Sequence, residues 1–241
     1  MKITATRTRL FKEGENLEAF IVRHYPRLCE GNILVVTSKI AALAEGRTAF
    51  AKNKKEKEKI IRAESEWAMP AAHAWLTIKD GTVMVAAGID ESNADGKLIL
   101  LPKDSFSAAA RLRATLRKCY RLNNLGVLIT DSRTPPLRAG VMGMALGYAG
   151  FRGVKDCRGS ADLFGKKLRV TKVDIADSLA AAAVLLMGEG AERRPLAVIK
   201  DAPVEFTKRT KRRELVVDVR DDVYMPLFKK INSKRYRAKR R

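Results

Sequence analysis

Leu125-Gly126-Val127-Leu128-Ile129-Thr130, followed at once by Asp131-Ser132-Arg133 and then Thr134-Pro135-Pro136, is the stretch on which the fold turns. A short unbroken apolar run is too brief for a free-standing helix and reads as a strand buried on both faces. The polar triplet stands at its exit, and the two prolines can continue neither a strand nor a helix. Working outward, the same design recurs twice. Ile33-Leu34-Val35-Val36-Thr37 empties into Ser38-Lys39-Ile40, and Val83-Met84-Val85-Ala86-Ala87 empties into Gly88-Ile89-Asp90-Glu91-Ser92-Asn93. Polar residues at strand exits sit on loops that a rigid scaffold holds in place, which is where binding and catalysis concentrate.

Two of these exits deliver an aspartate. Hard divalent cations such as magnesium or manganese take one or two carboxylates from protein and complete their shell with water and phosphate oxygens, so Asp90 and Asp131 suit that task. Ser38 and Lys39 offer a hydroxyl and an ammonium fitted to phosphate oxygens. Simpler readings stand beside these: a glycine-initiated turn in which Asp90 and Asn93 cap backbone amides, and an N-cap role for Ser38 ahead of the Ala-rich helix that ends at Gly46.

The remaining pattern is mixed. Helical spacing runs from Glu15 to Leu28, a charged helical face from Lys52 to Arg62, and an amphipathic helix from an Asp104 cap to Leu122, with Arg113, Arg117 and Arg121 on a face expected to meet solvent. Strands are expected over Ala74 to Ile78 and Thr82 to Ala87, joined by the turn Lys79-Asp80-Gly81, and over Lys97 to Leu101, Leu168 to Val173 and Leu196 to Ile199. An Ala/Leu-rich helix spans Ala176 to Met187, and Glu189 follows it as an exposed carboxylate between Gly188 and Gly190. Glycines crowd Gly140 to Gly153, which argues for close backbone approach or irregular turns. There is no Gly-x-x-x-x-Gly-Lys phosphate loop. Strands and helices without regular alternation predict an α+β fold.

Composition narrows the class. The 241 residues are 46% apolar, which supports a globular protein with a real core. No run approaches a membrane span, and Met1-Lys2-Ile3-Thr4-Ala5-Thr6-Arg7 lacks the apolar centre of a signal peptide, so a cytoplasmic location without membrane contact is expected. Cys29, Cys119 and Cys157 are odd in number and unpaired in spacing, and are expected to be semi-buried thiols rather than zinc ligands or disulfides. The net charge is +21, and residues 206–241 hold fourteen Lys/Arg against four Asp/Glu, close to half the excess. Residues 1–205 therefore read as the catalytic domain and 206–241 as a basic arm. The arm, with Tyr236, is either a solvated tail or a site for nucleic acid.

In order along the chain, Val35-Val36-Thr37-Ser38-Lys39-Ile40 with Ala44-Glu45-Gly46-Arg47, Ala87 through Asn93, Leu100-Leu101-Pro102, Ile129-Thr130-Asp131-Ser132 and Ala145 through Gly150 form a collinear set. Asp156-Cys157-Arg158-Gly159, Asp162-Leu163-Phe164-Gly165 and Ala180-Ala181-Ala182-Ala183 leading to Met187-Gly188-Glu189-Gly190 extend it, and the whole resembles the coenzyme F420-0:L-glutamate ligase family. The resemblance implies a two-lobed α+β homodimer that uses GTP, or ATP, with Mg2+ or Mn2+ to join L-glutamate to a carboxylate acceptor, F420-0, through an acyl phosphate. By motif it implies metal binding at Asp90, Asp131, Ser132 and Glu189, and nucleotide binding at Ser38, Lys39, Asn93, Gly188 and Gly190. Glu91 and Glu45 are the candidates for the group that accepts the amine proton.

The chain also departs from the family pattern. Asp131-Ser132-Arg133-Thr134-Pro135 stands where Asp-Thr-Phe-Gly-Arg is usual, Gly140-Val141-Met142 where Gly-Gln-Thr follows, and Leu43 where a lysine is frequent. Arg7, Arg9, Arg133 and Arg138 are candidates for replacement phosphate contacts. Three readings therefore remain at this stage: the ligase with F420-0 or another acceptor, a nucleic-acid-binding protein on the same fold, and a regulatory relative.

Overall fold

A computed structural model describes residues 1–92 and 94–228. Asn93 and the terminal run that contains Tyr236 lie outside the described residues. In chain order the elements are β1 (Lys2–Thr6), α1 (Leu17–His24), β2 (Asn32–Thr37), α2 (Ser38–Ala44), β3 (Thr48–Ala49), α3 (Lys54–Ala63), β4 (Trp67–Pro70), β5 (Trp75–Lys79), β6 (Thr82–Val85) and β7 (Leu98–Ile99). They continue with α4 (Ser105–Tyr120), β8 (Leu125–Arg133), β9 (Met142–Ala149), β10 (Val154–Asp156), β11 (Lys172–Asp174), α5 (Ile175–Met187) and β12 (Leu196–Lys200). The fold is α+β, as the sequence predicts. The chain divides into unit 1, Met1–Gly46 with Pro102–Leu215, and unit 2, Arg47–Leu101 with the segment from Val216.

Unit 1 is built on a five-stranded sheet in the order β1-β12-β2-β8-β9. Only β2 and β8 run parallel; the other neighbours are antiparallel. Both faces are covered, so successive residues go to opposite cores. Leu34, Val36, Val127 and Ile129 pack with Phe20, Ile21, Leu112 and Leu116 from α1 and α4. Ile33, Val35 and Leu128 pack with Leu179, Ala180, Ala183 and Met187 of α5. That two-sided burial is why these strands read as unbroken apolar runs.

Helix starts follow local chemistry. Asn16, Asn53, Asp104 and Asp174 each accept a hydrogen bond from the backbone N–H three residues on, which supplies an otherwise orphaned donor. The exception is α2, where Thr37 is the cap residue without a side-chain bond and Ser38 is the first helical residue. The N-cap reading of Ser38 is thereby corrected; its hydroxyl is used elsewhere.

The glycine-rich section is a strand, β9, and its glycines mark close approach. A Cβ at Gly143 would sit 2.4 Å from the Ala180 carbonyl oxygen of α5, and one at Gly147 would sit 2.4 Å from the Ser105 carbonyl carbon of α4. The strand is thus pinched between helix backbones on either face. Missing side chains hid its alternation from the sequence.

Other boundaries moved for identifiable reasons. Strand β8 runs on through Asp131 and Ser132 to Arg133, because β9 offers pairing partners as far as Met142. Strand β6 stops at Val85, where Ala86 and Ala87 turn into the left-handed region at φ +49° and +57° and the Ala87 N–H is taken by Thr77 Oγ1 at 2.8 Å. The strand expected over Leu168 to Val173 is the shorter β11. The arginine face of α4 is not simply solvated: Arg113 and Arg117 donate to the carbonyls of Leu125 and Leu122 at 2.6 and 3.1 Å. Cys29 and Cys119 are exposed and Cys157 half-buried, so burial was overestimated for the first two.

Unit 2 holds the antiparallel sheet β4-β5-β6 with α3, and the short pair β3-β7. Its interior contains a charged triad in which Glu64 accepts from Arg47 at 2.6 Å and Lys79 at 2.5 Å. Burial alone would raise the Glu64 carboxyl, but these two cations outweigh it and hold it below the ordinary value. Among the described residues no helix is long and apolar enough to cross a membrane.

Residues 206–215, the first part of the stretch read as an arm, are packed into unit 1. Phe206 bridges to Phe151, and Glu214 accepts from the buried Tyr148 hydroxyl and from the Gly153 N–H, each at 2.6 Å. Arg212 closes on Asp104 at 2.5 Å.

The pinch on β9 predicts that Gly147→Ala loses about 1–3 kcal/mol of unfolding free energy in urea titration, since helix backbone rather than a flexible side chain meets the added carbon.

Candidate functional site

Parallel pairing of β2 with β8 puts Thr37 opposite Thr130, so Ser38, just past the end of β2, and Asp131, near the carboxyl end of β8, lie side by side. Ligand sites in sheets with parallel strands gather at such ends. The Ser38 hydroxyl donates to Asp131 Oδ1 at 2.9 Å, and Ser38 itself is buried. Next along β8, the Ser132 hydroxyl donates to Glu189 Oε1 at 2.5 Å, which draws in the exposed loop that follows α5.

A one-residue irregularity precedes this cluster. Ile129 pairs with Gly147 and Thr130 with Ala145, leaving Leu146 of β9 as the extra residue. Such a bulge re-aims the side chains beyond it. Beyond it lies Arg133, whose side chain is 4% exposed and whose Nε lies 3.6 Å from Asp131 Oδ2. Asp177, in the first turn of α5, accepts from the Ala145 N–H at 2.7 Å. Burial pushes the Asp177 carboxyl up to about 6; Asp174 adds to the rise, whereas the Ala145 bond and the Arg133 charge oppose it.

The donor set suits a hard cation. Asp131, Ser132 and Glu189 present oxygen only, and the Thr130 hydroxyl oxygen next to them is buried with no hydrogen-bond partner among the described residues. No group of three or more His, Cys, Asp or Glu side chains that could hold a metal ion gathers among the described residues.

The other predicted positions are distributed as follows. Lys39 follows Ser38 in α2 and is half-buried. Gly188 and Gly190 flank Glu189, with Gly188 at φ +81° and the Gly190 N–H donating to Glu192 Oε2 at 2.8 Å, so a carboxylate of the chain itself takes that amide. Asp90 belongs to unit 2, where its backbone bridges to Ile99 and its carboxylate accepts from the Ser92 N–H at 2.6 Å. That bond is the turn role anticipated as the simpler alternative. Asn93 lies outside the described residues.

Both candidate proton acceptors are in ion pairs. Glu91 meets Lys57 at 2.6 Å in unit 2, and Glu45 accepts from the Lys103 N–H at 2.9 Å and meets Arg111 at 3.1 Å in unit 1. Arg9 is engaged with Glu15 at 2.8 Å. Sequence reasoning did not reach Asp177 or the burial of Arg133. The only signal for Arg133 was its departure from the family pattern, and the spacing Asp174-x-x-Asp177 reads as an ordinary helix start.

A model of the F420-0:gamma-glutamyl ligase family matches residues 5–201. The chain belongs to that family. The "Coenzyme F420:L-glutamate ligase" of Methanocaldococcus jannaschii is 30% identical over 89% of this chain and 93% of its own length. The protein of the same name from Methanopyrus kandleri is 33% identical over 83% of this chain and 86% of its own. A third, from Methanococcus maripaludis, reaches 40% identity, but the match spans only 58% of that protein's length and 61% of this chain. The family match takes in Ser38, Asp90, Asp131, Ser132 and Glu189 and ends before the packed segment 206–215.

The Asp177 carboxyl yields a pH prediction. Its pKa in the fold lies above the ordinary value, so the stability it contributes is complete below about pH 4 and is lost as pH rises through about 6. Asp177→Asn should therefore match the wild type in acid and exceed it by about 1 kcal/mol at pH 7 to 8, a figure discounted for partial solvent exposure. Urea midpoints measured from pH 4 to 8 check both limbs.

Proposed function

We propose that the chain is a nucleotide- and divalent-cation-dependent ligase that forms an amide between the amine of L-glutamate and a carboxylate of F420-0. The observation that carries the reading is the Ser38–Asp131 pair at the ends of two parallel strands, within a family whose name describes gamma-glutamyl ligation to F420-0. The acceptor carboxylate oxygen attacks the terminal phosphorus of GTP or ATP, the P–O bond to the departing GDP or ADP breaks, and an acyl phosphate forms. The glutamate amine then attacks the acyl carbon; a C–N bond forms, the C–O bond breaks, phosphate leaves, and the amine's proton passes to the departing phosphate or to solvent.

Mg2+ or Mn2+, held by Asp131, Ser132 and Glu189, would supply neutralising charge for the phosphoryl oxygens. The chain's own residues have distinct tasks. Ser38 fixes the orientation of Asp131 by donating to one of its oxygens, as partners behind a ligand commonly do. Lys39, one residue on, offers an ammonium to the phosphates, and the amides of the glycine-flanked loop offer further donors. Glu192 must release the Gly190 N–H for that loop to take phosphate.

Action as a homodimer is part of this proposal. It is supported by apolar side chains on the β10–β11 excursion, where Leu163, Phe164 and Val170 are 98%, 95% and 85% exposed.

The test follows release of GDP or ADP and of phosphate from GTP or ATP with Mn2+ or Mg2+, in the presence and absence of L-glutamate and F420-0. Turnover should require both acids. Asp131→Asn should lower it by about 100-fold or more and Ser38→Ala by about 10-fold. Nucleotide hydrolysis indifferent to both acids would overturn the assignment.

A further inference from the structure

Arg133 is buried to 4% exposure, with its Nε 3.6 Å from Asp131 Oδ2. A guanidinium stays protonated at every working pH. Its charge is thus a permanent part of the site, placed on the oxygen of Asp131 that Ser38 does not take. It also acts on Asp177 across the strand–helix layer, where it opposes the rise that burial imposes.

We propose that Arg133 is an internal counter-cation that makes divalent-metal binding in this chain depend on the nucleotide. The inference rests on the metal-dependent ligase reading above. Of the two carboxylates that unit 1 offers to a cation, Asp131 and Glu189, one is already offset by a fixed positive charge. A divalent ion arriving alone meets a carboxylate whose second oxygen already faces a guanidinium. An ion that arrives with a nucleotide brings phosphate oxygens that restore the missing negative charge, and the same guanidinium then faces anions rather than a rival. Arg133 is in this sense a positioning and charge-setting residue, since it acts through Asp131.

Metal binding without turnover isolates this claim from the ligase assignment. Mn2+ is titrated into the full chain and followed by electron paramagnetic resonance of the free ion, with and without a non-hydrolysable GTP or ATP analogue. The wild type should bind Mn2+ at least about tenfold more tightly with the analogue than without it. Arg133→Met should bind Mn2+ alone at least about tenfold more tightly than the wild type, which removes most of the dependence. Arg133→Lys, which keeps the charge, should behave as the wild type does; a merely structural role would let Met and Lys disturb binding alike.

Mn2+ affinity in Arg133→Met equal to or below that of the wild type overturns the proposal. If Arg133→Met fails to fold, Arg133→Gln replaces it with the same expectation, and circular dichroism establishes that each variant is native. Absence of Mn2+ binding in every protein, with or without the analogue, would overturn the metal site itself and this inference with it. Nucleotide-dependent Mn2+ binding without amide formation would leave the inference standing while removing the ligase assignment.

Discussion

Everything at the site depends on one pairing: the parallel register of β2 and β8, which sets Thr37 beside Thr130. Parallel neighbours point their carboxyl ends the same way, so two polar exits far apart in sequence become adjacent without any long-range loop. The pairing is affordable only in a sheet covered on both faces, because parallel strands of this kind are apolar on both sides. Helices α1 and α4 cover one face and α5 the other, and Asn32 to Val36 of β2 are buried. A slip of one residue would exchange the two cores and carry Asp131 away from Ser38.

The same coverage explains the glycines. For α4 and α5 to sit close on β9, the strand must lack side chains where the helix backbones cross it, at Gly147 and Gly143. Close packing then fixes the height of α5 above β8, which brings the loop after α5 to Ser132 and the first turn of α5 to Ala145. The packed segment 206–215 extends this logic beyond the family match. Glu214 satisfies both the Tyr148 hydroxyl and the Gly153 N–H, groups that would otherwise be buried or half-buried without a partner at the end of the same strand.

How much of this could be read beforehand varies by the kind of signal. The apolar runs of β2, β8 and β12, the cap at Asp104 and the strand exit at Ser38 were legible, because burial and turn chemistry leave marks on neighbouring residues. Strand β9 was not, since its glycines erase the alternation that would announce a strand, and their reason lies in helices that no local window contains. The extension of β8 past Thr130 was hidden for a related reason: pairing with β9 overrides the polar character of Asp131-Ser132-Arg133. The left-handed pair Ala86-Ala87 carries no glycine until Gly88, so the end of β6 was misplaced by two residues. The ligand-like residues of the site were visible as types, but their burial and pairing were not. Arg133 illustrates the limit, because a lone arginine before Thr-Pro-Pro reads as a solvent-facing cation until the sheet encloses it.

The large positive charge also takes on a clearer meaning once the acids are traced. Glu45, Glu64, Asp104, Asp156 and Glu205 meet lysine or arginine within 3.1 Å, and Glu30, Asp174 and Asp177 accept from backbone N–H groups. Carboxylates are therefore spent largely on holding the structure, at chain crossings, helix starts and strand ends. Within the site the order is reversed: carboxylates face outward at Asp131 and Glu189, and the cation, Arg133, is the enclosed group. A buried guanidinium is tolerated only with a carboxylate beside it, and that carboxylate is the one the site most needs. The stability of the strand end and the charge available to a ligand are consequently set by the same pair, so neither can be changed without the other.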